Sequence, residues 1–148
     1  MTVESHEEMR LRAVTGRLEL MDPERVLAKL RTGEEVKGSW LTAPTGKPHI
    51  GYLVPLIKIA ECIAAGIPVR ILVVDSYAYL INHDVSMEVV EYRTQYYTFL
   101  LAAVLRALSV AAPDIDIRHE SAYSMSAEFT KDKMKIRLSG HRFPVGRL

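Results

Sequence analysis

Residues 50 to 65 form a stretch in which only Lys58 and Glu61 carry charge; Gly66 closes it, and Val69 to Val74 follows as a β-branched and aliphatic run broken only by Arg70. A helix that is apolar on most sides has to be covered on most sides, as happens when it packs on a sheet. The second run suits a buried parallel strand. Residues 36 to 43, just upstream, read as another strand, weakened by Gly38. The three segments make a strand, helix, strand unit, whose crossover is right-handed and whose ligand crevice lies beyond the carboxyl ends of the strands. The chain is therefore expected to be α/β, with a parallel sheet flanked by helices.

The remaining segments extend that pattern. Residues 4 to 20 place Met9, Leu11, Val14, Leu18 and Leu20 among charges, an imperfect amphipathic helix. Asp22 supplies a capping oxygen, Pro23 a first helical position and Glu24 an acid in the first turn, so a short helix is predicted over 23 to 32, stopped by Gly33. Ser86 caps a long helix to about residue 108. Ile115 and Ile117 alternate with Asp116 and Arg118 as a third strand, and residues 124 to 138 have helical spacing with a Lys-rich face.

A chain of 148 residues, 49% hydrophobic, is long enough to bury one core. A net charge of +1 gives no global electrostatic case for nucleic-acid binding. The single cysteine, Cys62, lies in an apolar helical pattern and reads as a small buried hydrophobe, in keeping with a reducing compartment. Residues 1 to 17 hold no apolar signal region, so a cytoplasmic location is expected. The most lipid-like stretch contains Pro55, Lys58 and Glu61 and falls short of the roughly 20 apolar residues a bilayer requires, so no membrane partner is expected.

The loop between the first strand and the apolar helix carries the chemistry. Thr42 and Thr45 offer hydroxyls, Lys47 a cation, His49 a donor at a helix start, and Gly46 and Gly51 close approach. With Asp75 at the end of the next strand, these residues fall at the carboxyl edge where a phosphate-bearing ligand binds. Taken alone, a His after Lys-Pro in a loop is more commonly an exposed helix-start residue than a ligand. Other groups have plainer readings. His83 with Asp84 and His119 with Glu120 lack metal-ligand spacing, so no metal held by protein ligands is expected. Lys131, Lys133 and Lys135 read as a solvated helix face. Tyr92, Tyr96 and Tyr97 are expected to pack against the core or a dimer partner rather than stack on RNA bases.

The run Thr45-Gly-Lys-Pro-His-Ile-Gly-Tyr52 resembles the first signature of class I aminoacyl-tRNA synthetases, in the His-x-x-Tyr form of eukaryotic and archaeal tyrosyl-tRNA synthetases. The resemblance continues through Val54-Pro55, Lys58-Ile59-Ala60, Ala65-Gly66, Ile71-Leu72, Asp75, Ala78-Tyr79-Leu80 and Asn82. It extends to Arg93-Thr94-Gln95-Tyr96-Tyr97 and to Tyr123 with Ser126-Ala127-Glu128-Phe129-Thr130, so that it spans roughly residues 36 to 132. It implies a Rossmann-like nucleotide-binding domain, of the class I synthetase kind, that couples tyrosine to ATP with Mg²⁺ assisting and passes the tyrosyl group to tRNA(Tyr). By resemblance, His49, Thr45 and Lys47 are catalytic, and Thr42, Gly46, His49, Gly51 and Tyr52 bind ATP. Ser39, Leu41, Leu72, Val74, Asp75 and Tyr77 occupy the amino-acid pocket. A homodimer with part of its interface near the long helix is also implied.

Departures from the family pattern concentrate in that pocket. Ser39 stands where the family usually has Tyr, Leu41 where it has Gly beside the adenylate, Val74 and Tyr77 where it commonly has Ala and His, and Ile81 where it has an acid. Added bulk at Leu41, Val74 and Tyr77 is expected to weaken or abolish tyrosine binding while an ATP subsite survives. The sequence divides into an N-terminal helical segment (1–35), a partial Rossmann-type domain (36–136) and a divergent tail (137–148). Only the first half of the family's nucleotide fold is expected here, without the Lys-Met-Ser-Lys-Ser type loop and the anticodon-binding helices. Two readings follow, an impaired tyrosine–tRNA ligase and a catalytically silent nucleotide-binding or protein-interaction remnant.

Overall fold

Three parallel strands in the order β1-β2-β3 form the centre: β1 (Gly38–Thr42), β2 (Val69–Val73) and β3 (Asp116–His119). The computed structural model describes residues 5–15, 23–82 and 84–138. The predicted continuation of the first helix to residue 20, the Asp22 cap, His83 and the tail from residue 139 lie outside them. In register, Ser39 pairs with Arg70 and Arg70 with Asp116, while Leu41 pairs with Leu72 and Leu72 with Arg118. Alternate residues of a strand point to opposite faces, so these two rows share one face, and Gly38, Trp40, Thr42, Val69, Ile71, Val73, Ile117 and His119 share the other.

Among the described residues, helices cover only the second of these faces. Helix α1 (His6–Thr15) and helix α2 (Pro23–Arg31) precede the sheet, α3 (Leu53–Ala64) crosses from β1 to β2, and α5 (Met87–Ala107) lies between β2 and β3. Leu56, Ile59 and Cys62 of α3 and Leu101 and Leu105 of α5 close over Val69, Ile71 and Val73, joined by Ala13, Val14 and Leu30 from the N-terminal helices. Strands that follow one another in order through right-handed crossovers place both crossing helices on one side, as the burial pattern requires here. Burial pushes the Cys62 thiol up, as expected of a small core hydrophobe.

Helix boundaries follow local chemistry. Ser86 caps α5, its Oγ accepting from Val89 N–H at 3.4 Å. Gly66, at φ 72°, stops α3 in a left-handed conformation that costs glycine little. Ser109 takes the corresponding place after α5, at φ 66°, without glycine's freedom. Two elements differ from the sequence expectation. A short helix, α4 (Asp75–Ile81), fills the segment after β2; its N-cap residue, Val74, has no capping side chain, and Ser76 and Tyr77 N–H instead donate to Asp75 Oδ1 and Glu120 Oε2. The helix predicted from residue 124 begins instead at Ala127 as α7 (Ala127–Leu138), where Ser126 Oγ accepts from Phe129 N–H at 3.1 Å, and a separate short helix, α6 (Ser121–Ser124), precedes it.

Candidate functional site

At the carboxyl end of β1 the chain turns through Pro44, which is buried, and then through Thr45, Lys47 and His49, all exposed. The apolar helix does not begin at His49. A single 3₁₀ turn, Ile50–Tyr52, comes first, and α3 starts at Leu53. His49 caps that turn with its own ring: Nδ1 accepts from Gly51 N–H at 3.2 Å. An accepting Nδ1 places the proton of a neutral imidazole on Nε2, leaving Nε2–H to donate outward. Any Cβ on residue 51 would sit 2.8 Å from the His49 ring, so only glycine leaves the ring its place.

This arrangement changes which donors a phosphate would meet. Gly51 N–H is taken by His49 Nδ1, Tyr52 N–H by His49 O at 3.0 Å, and Leu53 N–H by carbonyls of the 3₁₀ turn. The outward donors are therefore mainly side chains: the Thr45 hydroxyl, the Lys47 ammonium and the His49 Nε2. Lys47 pairs with no carboxylate among the described residues. Gly46 has nothing within 4 Å of where a Cβ would stand, so the loop backbone is open to close approach at that point.

Thr42 and Tyr52 lie behind the loop. Thr42, buried, donates its hydroxyl to Tyr52 Oη at 3.3 Å, and Tyr52 Oη in turn lies 3.2 Å from Tyr97 Oη. The Tyr52 ring meets Trp40, His49 and Tyr97 edge to face, at centroid distances of 6.0, 5.2 and 5.6 Å. Tyr97 is 2% exposed, and burial first, then its hydrogen bond with Tyr52, pushes its phenol far above the ordinary range. Arg93, one turn earlier on α5, donates from Nη1 to Thr45 O at 2.9 Å. Sequence inspection treated Arg93 and Tyr97 only as part of a family run and a core pattern. Their i, i+4 spacing, an arginine one turn before a buried tyrosine, was the signal that they share a helix face.

The residues assigned to the amino-acid pocket separate into two groups. Ser39, Leu41 and Leu72 lie on the uncovered face of the sheet, Leu41 at 58% exposure and next to Leu72 in register. Val74, Asp75 and Tyr77 follow β2, Val74 N–H donating to Thr42 O at 2.9 Å. Asp75 is occupied within the fold: Oδ1 accepts from Ser76 N–H and Ser121 N–H at 3.0 and 2.9 Å, and Oδ2 from Ser121 Oγ at 2.6 Å. It ties the end of β2 to α6. His119 turns inward, its Nε2 lying 2.8 Å from Thr98 Oγ1. Among the described residues no three His, Cys, Asp or Glu side chains are grouped to hold a metal ion, and no helix is long and apolar enough to cross a membrane.

Three parallel strands flanked by helices, with a Thr, Lys and His loop at the carboxyl edge of the first, place the protein in the Rossmann-like α/β class. Residues 32–138 match the family described as tRNA synthetases class I (W and Y), and the chain belongs to that family. Its curated relatives place it on the tyrosine side. The cytoplasmic tyrosine–tRNA ligase of Saccharomyces cerevisiae is 34% identical over 119 residues, covering 80% of this chain and 30% of that protein. The cytoplasmic enzyme of Gallus gallus is 37% identical over 118 residues, covering 80% of this chain and 22% of that protein. The chain thus spans less than a third of the length of these relatives. Among solved structures, tyrosyl-tRNA synthetase from Aeropyrum pernix superposes with a TM-score of 0.75 at 18% identity, over 93% of this chain and 41% of that one. The Pyrococcus horikoshii synthetase complexed with L-tyrosine gives 0.77 at 17% identity, over 91% and 38%. At such identities these two comparisons establish the shared fold.

Proposed function

We propose that this chain supplies the nucleotide-binding part of a cytoplasmic tyrosine–tRNA ligase, the part that holds ATP for activation of tyrosine and transfer to tRNA(Tyr), in a form impaired in tyrosine binding. The observation that carries the reading is the placement of Thr45, Lys47 and His49 together on one exposed loop, with the His49 ring held by Gly51 in the tautomer that offers Nε2–H outward. Three donors on an open loop suit the charge that develops on phosphate oxygens when pyrophosphate leaves. Gly46 and Gly51 leave room for the nucleotide, and Thr42 and Tyr52 hold the loop from behind. Residues 42–52 contain no carboxylate, so Mg²⁺ would enter with the triphosphate and offset its charge. Tyrosine, tRNA(Tyr) and a homodimer partner along α5 complete the reading on the strength of the family.

Leu41 favours a second reading, that of a silent nucleotide-binding remnant. Its side chain stands free on the uncovered face beside Leu72, where the family's glycine would leave open space. Calorimetric titration separates the readings. The ligase reading expects ATP to bind and tyrosine to bind weakly, with Leu41→Gly strengthening tyrosine at least tenfold and pyrophosphate exchange appearing in a full-length context. Tyrosine binding that is absent both before and after the substitution would leave the remnant reading, and absence of ATP binding would remove both.

A further inference from the structure

We propose that Arg93 and Tyr97 of α5 are positioning residues that latch the Thr45–His49 loop, so that the geometry of the candidate phosphate donors is set by a helix remote in sequence. The proposal rests on the nucleotide reading for its purpose and on the loop's own contacts for its substance. Between Pro44 and His49 the loop has little holding it from within: Thr45 N–H donates to Ala43 O at 2.9 Å, and the side chains of Thr45, Lys47 and His49 are exposed. Its anchors come from α5. Arg93 donates a charge-assisted hydrogen bond to the Thr45 carbonyl at 2.9 Å, fixing the start of the exposed segment. One turn on, Tyr97 reaches the far end, where its hydroxyl meets that of Tyr52 at 3.2 Å and its ring stacks edge to face on the Tyr52 ring.

The helix that carries the latch is itself immobile by packing. Val90, Thr94, Leu101 and Leu105 of α5 are buried, and Tyr97 is buried among them. Thr94 and Thr98 hydroxyls return to the carbonyls of Val90 and Thr94, leaving Arg93 and Tyr97 as the polar groups that reach across to the loop. Catalysis by positioning is sensitive to displacements of about an ångström. A loop tied at Thr45 and at Tyr52 holds Lys47 and His49 between fixed points.

The test is native-state hydrogen exchange on the whole chain, with Arg93→Ala, Arg93→Lys and Tyr97→Phe compared with wild type and with ATP titrated in parallel. Tyr97→Phe keeps the buried ring and removes only the hydroxyl, so a folded variant is expected. Expected are at least tenfold faster exchange at the Thr45, Gly51 and Tyr52 amides in Arg93→Ala and Tyr97→Phe, partial recovery in Arg93→Lys, and unchanged rates at Ile71 and Val73. ATP affinity is expected to fall in the same order. Loop amides exchanging at the wild-type rate, or loop and β2 amides accelerating together, overturn the latch. Faster loop exchange in a protein whose wild type binds no ATP upholds the latch and overturns the nucleotide reading, so the two fail separately.

Discussion

On one face of the sheet Val69, Ile71 and Val73 are sealed beneath α3 and α5; on the other, one residue along each strand, Leu41, Arg70 and Arg118 stand open. The open face is itself of two kinds. Its first row, Ser39, Arg70 and Asp116, is what a water-facing sheet carries, with Asp116 accepting from Arg70 Nε and Arg118 Nε at 2.7 Å each. The second row puts Leu41 beside Leu72 and then Arg118, an apolar ledge within a charged surface. Folding needs only the covered face. The ledge has no role in the core, so its residues should contribute little to stability.

The contrast can be broken most directly by substituting the two faces in turn. Ile71→Ala, at a side chain 1% exposed, should cost about 2–5 kcal/mol in urea unfolding. Leu41→Ala, at a side chain 58% exposed, should change stability by less than about 0.5 kcal/mol. Equal costs would mean that the second face is covered after all. A smaller effect sharpens the covered side: a Cβ at Gly38 would meet Val69 Cγ2 at 3.1 Å, so Gly38→Ala should cost about 1 kcal/mol. That cost should vanish in a Val69→Ala background, and a penalty surviving there would place the strain elsewhere.

The smallest effect belongs to the open face and appears only in acid. Partial burial alone would raise the Asp116 carboxyl, but hydrogen bonds and charge from Arg70 and Arg118 outweigh it and hold the group below its usual range. A carboxyl depressed in the folded state contributes stability above the unfolded carboxylate range, and that contribution is lost as pH falls through the folded value. Asp116→Asn should therefore flatten the acid limb of the stability profile. Because Arg70 and Arg118 are more than half exposed, the difference should be slight and should shrink further in high salt. An acid limb identical in the two proteins would show that the ion pairs contribute nothing.

Much of the covered face was legible in the sequence, because period and burial agree there. The nearly uninterrupted apolar run over residues 50–65 and the β-branched run ending at Val74 suited a covered helix and a buried parallel strand. Asp75–Ile81 was not legible as a helix, since its N-cap residue, Val74, has no capping side chain and the segment is too short for periodicity to register. Nor was the start of α7 at Ala127, where the Ser126 hydroxyl caps a helix that spacing alone begins at residue 124. At the site the loop residues were found by type and order, but the Thr42, Tyr52, Tyr97 chain and the Arg93 anchor depend on α5 lying across the loop, a contact 45 or more residues distant in the chain. The ring of His49 turned back onto Gly51 was hidden for a different reason: it uses up a backbone donor that a helix start was expected to offer.

Burial of Tyr97 gives the protein an optical reporter of its own. Of seven tyrosines, Tyr92, Tyr77, Tyr96 and Tyr79 are exposed whereas Tyr97 is buried, and a free phenol ionises at about pH 10. Tyr97 holds its proton well beyond that range, so the folded state is favoured below the unfolded phenol's value and loses that advantage as pH climbs towards the folded one. In a spectrophotometric titration the last increment of phenolate absorbance should consequently arrive together with the loss of helical ellipticity, and the strand-to-helix contact behind the loop becomes visible without any label.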